Sequence, residues 1–150
     1  MKILVVYDSL HGNTEKIALA MSNALPGEAR ALRVGHVNTA ELSSFDLLLV
    51  GSPTHGGRPS PPMKEFLDGV QPADLEGAKL ATFDTRTAGR LSGIFGGFAA
   101  ARIAKSLNKK GGALVGSPEG FLVAGLKGPL LDGELERAAA WAREIVESVM

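Results

Sequence analysis

The chain has 150 residues, of which 16 are basic and 16 acidic, and it contains no cysteine. This balance gives no electrostatic reason to expect nucleic-acid binding, and a chain without cysteine has neither disulfides nor thiol redox chemistry. No apolar stretch approaches the roughly 18 residues that a membrane-spanning helix needs. We therefore expect one domain over residues 1–150, with the cytoplasm as its compartment and no membrane contact.

Strand and helix patterns alternate through the first half of the chain. An apolar run at residues 3–7 predicts a first strand, and an apolar stripe of helical period follows from Thr14. Residues 28–34 predict a second, polar strand at the edge of a sheet. Residues 46–51 form a continuous apolar run, which is typical of a strand covered on both faces.

The alternation continues to the end of the chain. Ser60 is placed to cap a helix, residues 79–83 predict a fourth strand, and a glycine-rich loop at 85–97 leads into another helix. Residues 113–115 and 121–123 predict one interrupted fifth strand. The last helix has an expected buried stripe at Leu135, Ala138, Ala142, Ile145 and Val149. Five strands alternating with helices predict an α/β protein with a doubly wound parallel sheet.

The loop after the first strand consists of small and hydroxyl residues, among them Ser9, Gly12, Asn13 and Thr14. A loop of this kind, leading into a helix, directs unpaired backbone N–H groups and the positive end of the helix dipole at one place. We interpret it as a phosphate site. The plain alternative is an ordinary strand-to-helix turn that is capped by Ser9 or Thr14.

Several classes of phosphate-binding protein lack support in the sequence. The first strand is not followed by G-x-G-x-x-G, and the chain has no Gly-Lys pair, so a Walker A loop is excluded. Without cysteine, a cysteine phosphatase is excluded as well. The third strand ends in Gly51-Ser52 where a receiver domain would need its phospho-accepting aspartate.

The pattern that remains is Val5-Val6-Tyr7-x-Ser9-x-x-Gly12-x-Thr14-x-x-x-Ala18-x-x-Met21. It closely resembles the FMN-phosphate signature of the flavodoxin family, with Met21 where leucine, isoleucine or valine is usual. The resemblance spans the chain, and the uninserted fifth strand is similar to that of short-chain members. It implies a five-stranded flavodoxin-like sheet of order 2-1-3-4-5, FMN as the cofactor, and a ligand site above the carboxyl ends of the strands.

Under that topology three loops converge, at residues 8–14, 52–59 and 84–91. The resemblance implies that these loops supply the cofactor-binding residues. They are Ser9, Leu10, His11, Gly12, Asn13, Thr14, Pro53, Thr54, His55, Gly56, Gly57, Thr85, Arg86, Thr87 and Gly89. In the family, a glycine in the second loop lets a peptide flip so that its carbonyl accepts a hydrogen bond from N5 of reduced flavin. The alternative for this loop is a plain glycine-rich turn.

The third loop departs from the family pattern, because it lacks the tyrosine and the acidic residues that are usual there. The chain's one tyrosine is Tyr7 in the first strand, and its one tryptophan is Trp141 in the last helix, where we expect core packing. At most His55 is placed to stack on the flavin ring. We therefore expect one open ring face and weaker FMN binding, since each aromatic stack contributes about 0.5 to 1.5 kcal/mol.

Arg58, Arg86 and Arg90 fall on these loops together with His11 and His55, against few carboxylates. Positive charge there favours a negatively charged reduced flavin, which makes the second electron step less reducing. The alternative is that the arginines face solvent. The two histidines lack a third ligand at a recognisable spacing, so we predict no metal site.

Taken together, the residues and the resemblance predict an FMN-binding electron-transfer protein that passes electrons between redox partner proteins and has no catalytic residue of its own. Two alternatives stay open. One is an FMN-dependent reductase of a quinone or another planar acceptor, and the other is a flavodoxin-like module that has lost FMN. The sequence leaves the oligomeric state open.

Overall fold

Strands and helices alternate along residues 1–88 and 98–150, which are the residues that the computed structural model describes. The strands are β1 (Lys2–Tyr7), β2 (Glu28–Arg33), β3 (Leu47–Pro53), β4 (Lys79–Thr87), β5 (Ala113–Leu114) and β6 (Glu119–Val123). The helices are α1 (Asn13–Ala24), α2 (Pro61–Gly69), α3 (Ala99–Lys109) and α4 (Glu134–Val149). Short 3₁₀ turns occupy Val34–His36, Thr39–Ser44 and Pro72–Leu75.

The strands form a parallel sheet in the order β2-β1-β3-β4-β5, which confirms the predicted fold class and strand order. The predicted interruption of the fifth strand is also confirmed: β5 pairs with the start of β4, and β6 pairs with its end. The register sets Tyr7 beside Gly51 and Pro53 beside Thr85. The loops after β1, β3 and β4 therefore leave the sheet at neighbouring points.

Two apolar layers cover the sheet. Alternate residues of β1 point to opposite faces, so Ile3 and Val5 pack under α1 and α4, while Leu4 and Val6 pack under α2 and α3. Burial on both faces explains why the central strands are continuous apolar runs. No helix in the described residues is long and apolar enough to cross a bilayer.

Trp141 lies in the core, as expected, where its ring meets those of Phe83 and Phe121 edge to face at centroid distances of 6.1 Å. The expected stripe of α4 is wrong at Leu135, which is 41% exposed. Glu134 occupies the buried position one turn before Ala138, where its carboxylate accepts the Leu122 N–H and pairs with Arg137, both at 2.7 Å. Leu135 is then rotated toward solvent.

Candidate functional site

The loop after β1 presents free backbone donors at the start of α1. Gly12 caps the helix at φ +90°, a left-handed conformation that glycine adopts without strain. The Ser9 hydroxyl accepts the N–H groups of Gly12 and Glu15 at 3.1 and 3.2 Å. The amides of Asn13 and Thr14 lie in the first turn and meet no protein acceptor among the described residues. They remain available to an anion at the positive end of the helix.

Arg33, at the end of β2, fixes the shape of this loop. Its guanidinium donates to the Ser9 carbonyl at 2.7 Å and forms ion pairs with Asp8 and Glu15, each at 3.5 Å. Glu15 also accepts the Tyr7 hydroxyl proton at 2.9 Å. Burial and the Glu15 carboxylate raise the pKa of the Tyr7 phenol, and Arg33 opposes them. Arg33 thus stabilises the conformation of the loop. Local sequence does not predict this contact, because Arg33 is 24 residues away from Ser9.

A second buried contact ties this loop to the start of α2. The Asp8 carboxylate accepts the Ser60 hydroxyl proton at 2.5 Å, and the Ser52 hydroxyl accepts the Ser60 N–H at 2.9 Å. Ser60 also caps α2, as predicted, by accepting the Met63 N–H. Asp8 is therefore occupied by protein donors rather than turned toward a ligand.

The loop after β3 ends in a two-residue hairpin. His55 and Arg58 exchange backbone hydrogen bonds of 2.9 and 3.0 Å, which leaves Gly56 and Gly57 as the turn at φ +58° and +80°. Such a turn needs positive φ at both central residues, so the glycine pair has a geometric reason. The His55 Nε2 atom is buried and has no hydrogen-bond partner among the described residues.

The loop after β4 contacts the first loop through two buried hydroxyl groups. The Oγ1 atoms of Thr14 and Thr85 lie 2.8 Å apart, and either can donate. Each hydroxyl carries one proton, so one proton forms this bond and the other is left for a third group. The pair therefore adds a hydroxyl donor beside the amides of Asn13 and Thr14.

Arg86 is held by a buried carboxylate. Its Nε and Nη2 atoms donate to Asp84 at 2.7 and 2.8 Å, and its guanidinium carbon lies 3.4 Å from the centroid of the Phe98 ring. Asp84 also accepts the Ala100 N–H at 2.9 Å, which anchors the start of α3. Burial raises the pKa of the Asp84 carboxyl, while Arg86 and the other donors oppose the rise.

The expectation of unopposed positive charge near the ring is therefore wrong for Arg86, because Asp84 neutralises it. Arg58 is exposed on the outer limb of the hairpin, and Arg90 lies outside the described residues. The sequence predicts Asp84 as the first residue of the third loop, which is wrong. It is a buried residue within β4.

The three loops line a cleft that is open to solvent above the carboxyl ends of the strands. Most of the predicted site residues line it: Ser9, Leu10, His11, Asn13, Thr14, Pro53, Thr54, His55, Thr85, Arg86 and Thr87. Gly12, Gly56 and Gly57 shape the loops without lining the cleft. Gly89 lies outside the described residues.

A fourth segment, after β6, was missed. Val123, the last residue of β6, and Leu126 complete the described lining, in which Leu126 is 67% and Leu10 64% exposed. A Cβ atom on Gly128 would lie 2.8 Å from the Asn13 side chain, so this segment closes against the start of α1. The signal that could have found it is topological, since β6 ends at the same edge of the sheet as the other strands.

Comparison with known proteins identifies the family. Residues 4–123 match the model of the flavodoxin domain. The chain belongs to this family. A 73-residue segment is 42% identical to a flavodoxin of Aquifex aeolicus, over 46% of this chain and 40% of that protein. An 86-residue segment is 30% identical to the probable flavodoxin 1 of Bacillus subtilis, over 55% of this chain and 54% of that protein. The chain thus spans about half the length, or less, of these curated relatives.

Solved structures share the fold over nearly the whole chain. A flavodoxin from the domain Archaea superposes with a TM-score of 0.81 at 25% identity, covering 99% of both chains. A short-chain flavodoxin associated with a non-canonical PDU bacterial microcompartment gives 0.81 at 18% identity over 100% of both chains. Flavodoxin 2 of Bacillus cereus gives 0.80 at 24% identity over 99% of both chains. The last two, being less than 25% identical, show the fold alone.

FMN is the cofactor that flavodoxin family proteins bind. The residues of this cleft fit it at the phosphate end, where backbone amides and hydroxyl groups converge and the nearby carboxylates of Asp8 and Asp84 are already paired. At the ring end, the unpartnered Nε2 atom of His55 is a buried polar group that a ligand can satisfy. No phenylalanine, tyrosine or tryptophan of the described residues lines the cleft, so the histidine rings are its aromatic groups.

Proposed function

We propose that this chain binds one FMN noncovalently and passes electrons between redox partner proteins. The observation that carries the proposal is the donor set at the start of α1. Asn13 and Thr14, whose amides meet no protein acceptor among the described residues, line the cleft together with the Thr14–Thr85 hydroxyl pair. This set suits a terminal phosphate monoester, and the described residues of the cleft offer no second site for the adenylate of FAD.

The remaining contacts of the cleft suit a planar ring. His55 offers both a ring face and a buried nitrogen, and the apolar side chains of Val123, Leu126 and Leu10 limit water at the mouth. When bound, FMN supplies the redox chemistry, and the protein supplies binding, orientation and the local field.

A carrier role is favoured over a stand-alone enzyme by the state of the two buried carboxylates beside the cleft. Asp8 is occupied by Ser60 and Arg33, and Asp84 by Arg86 and the Ala100 amide. Neither is free to act as a general acid or base. One observation supports the reductase alternative: the described residues place no large aromatic side chain in the cleft, which leaves room there for a planar acceptor on the flavin ring.

The test is a fluorescence titration of FMN and of riboflavin with the apoprotein. We expect FMN fluorescence to be quenched at a stoichiometry of one, and riboflavin to bind at least about tenfold more weakly because it lacks the phosphate. Gly12→Asp adds a side chain at φ +90° and a negative charge beside the phosphate, and should weaken FMN binding further.

Gly77→Asp is a matched control, since Gly77 has φ +79° with open space around it and lies away from the cleft. It should leave FMN affinity unchanged. If excess FMN shows no fluorescence quenching, the proposal is wrong and the chain is a flavodoxin-like module that has lost FMN. Sustained quinone turnover with a chemical reductant and no partner protein would favour the reductase.

A further inference from the structure

A groove between α2 and α3 carries a concentration of positive charge. Five of the chain's 16 basic residues line it, against one acidic residue, Asp68. The basic residues are Arg58, Lys64, Arg102, Lys105 and Lys109. Because the chain as a whole is neutral, this clustering leaves a net negative charge on the rest of the molecule. The groove is therefore one pole of an uneven charge distribution.

The groove has an apolar floor, and the two helices that form it are joined to each other. It contains about 1180 Å³ of empty space, open to solvent, above Pro59, Pro61 and Leu67. The Lys110 ammonium group donates to the carbonyls of Leu67 and Val70 at the end of α2, and so joins α2 to the end of α3. A partner that binds here meets two helices already held together, which reduces the ordering cost of association.

Three of the groove cations lack compensation from the protein. Arg58, Lys105 and Lys109 are exposed, and no carboxylate of the described residues pairs with them. Asp68 is already paired with Lys64 at 2.9 Å. Like charges gathered in a concave surface repel one another and raise the local potential. An anionic group that enters the groove relieves this repulsion.

The groove adjoins the proposed cofactor cleft through the hairpin after β3. His55 lines the cleft and Arg58 lines the groove, and the two residues are joined by paired backbone hydrogen bonds. The Arg58 end of the groove therefore adjoins the cleft, while Lys105 and Lys109 lie toward the other end of α3. A protein that docks along the groove and covers Arg58 also covers the hairpin beside the cleft.

We propose that this basic groove is the docking site for an acidic surface of a redox partner protein. The proposal rests on the proposed function, because the partner is the electron donor or acceptor of the bound flavin. The apolar floor favours a protein over a nucleic acid, since protein side chains pack on proline and leucine while phosphate backbones rely on charge. The neutral net charge of the chain also speaks against nucleic acid.

The first experiment measures fluorescence polarisation of labelled poly-L-glutamate at low ionic strength, with the apoprotein and with the FMN-loaded protein. Lys105→Glu/Lys109→Glu reverses two exposed groove charges. Lys16→Glu/Arg143→Glu makes the same change in charge on exposed positions of α1 and α4, across the sheet. We expect the groove pair to weaken binding by about tenfold or more and the control pair by less than about twofold.

Equal weakening by both pairs would mean that poly-L-glutamate senses only net charge, and the proposal would fail. Tighter binding of a DNA duplex than of poly-L-glutamate, lost in the groove variant, would reassign the groove to nucleic acid. Because this experiment also runs on the apoprotein, its outcome is separate from that of the FMN titration.

The second experiment uses the FMN-loaded protein, chemically reduced, with two one-electron oxidants of opposite charge. Ferricyanide is anionic and hexaammineruthenium(III) is cationic. The groove variant should slow oxidation by ferricyanide and speed oxidation by the cation, and added salt should abolish both effects. Rates that depend on neither variant nor salt would show that the groove does not lie on the electron-transfer path and would overturn the proposal.

Discussion

Removing the charge of Arg86 should destabilise the fold strongly, because Arg86→Gln leaves the buried Asp84 carboxylate without its cation. Asp84 has no solvent exposure, and Arg86 supplies two of its hydrogen bonds, at 2.7 and 2.8 Å. Breaking a buried pair by removing one partner costs about 3 to 5 kcal/mol. The guanidinium contact with the Phe98 ring is lost as well. For a chain of this length, the change corresponds to a fall in Tm of about 10 °C.

The double variant Asp84→Asn/Arg86→Gln is the matched control. It removes both charges together, and the asparagine carbonyl can still accept the Ala100 N–H that anchors α3. We expect it to recover most of the lost stability in chemical denaturation. A double variant as unstable as Arg86→Gln would show that the packing of Arg86, and not charge compensation of Asp84, is what stabilises the site.

The destabilisation should also depend on pH in a defined direction. Burial already raises the pKa of Asp84 above its ordinary 3.8 in the wild type, and Arg86 is the main group that opposes the rise. Without Arg86 the folded-state pKa rises further. The unfolded state then releases its proton first, so stability falls as pH rises from about 3.8 through the folded-state pKa. The deficit of Arg86→Gln should be smallest in acid, and a deficit independent of pH would refute this reasoning.

Three further changes test individual contacts. Thr14→Val should weaken FMN binding by about 1 to 3 kcal/mol in calorimetry, because the buried hydroxyl pair is broken, and Thr14→Ser should restore the affinity. If Thr14→Val binds FMN as tightly as the wild type, the hydroxyl pair does not belong to the site. Gly57→Ala, at φ +80°, should lower the unfolding free energy by about 1 kcal/mol, whereas Gly35→Ala, which has open space around it, should not. Equal changes in unfolding free energy in the two variants would contradict the assignment of Gly57 to the turn. Tyr7 is the chain's one tyrosine, and an absorbance titration should give it a pKa above the ordinary 10.0. Glu15→Gln should lower that pKa, and an unchanged pKa in this variant would contradict the hydrogen bond between Tyr7 and Glu15.

The parts of the fold that sequence predicts are those whose cause lies within a few neighbouring residues. The apolar run of β1, the hydroxyl-rich loop and the helical stripe after it occupy one short segment, so their geometry is encoded locally. Ser60 likewise caps α2 through a contact with Met63 three residues away. The interrupted fifth strand can also be predicted, because both of its halves carry apolar residues. Both halves pair with β4 in the structure.

The parts that sequence does not predict depend on distant partners. Arg33 supports the first loop from the edge strand, and nothing near it in the chain distinguishes it from an ordinary exposed arginine. Arg86 was expected to add charge to the cleft, but its field is cancelled by Asp84, whose burial follows from the pairing of β4 with β3. Leu135 shows the same limit, since the neighbouring Glu134 is held in a buried position by the distant Leu122 N–H and by Arg137.

The most direct test of the phosphate site is residue-specific amide NMR of the apoprotein during titration with FMN and, separately, with riboflavin. We expect FMN to shift the amide resonances of Asn13 and Thr14 strongly, because these amides meet no protein acceptor among the described residues. Riboflavin should shift the amide resonances of the hairpin that contains His55, but it should leave those of Asn13 and Thr14 close to their positions in the apoprotein. If FMN binds and the amides of Asn13 and Thr14 do not shift, the phosphate lies elsewhere and the assignment of the site is wrong.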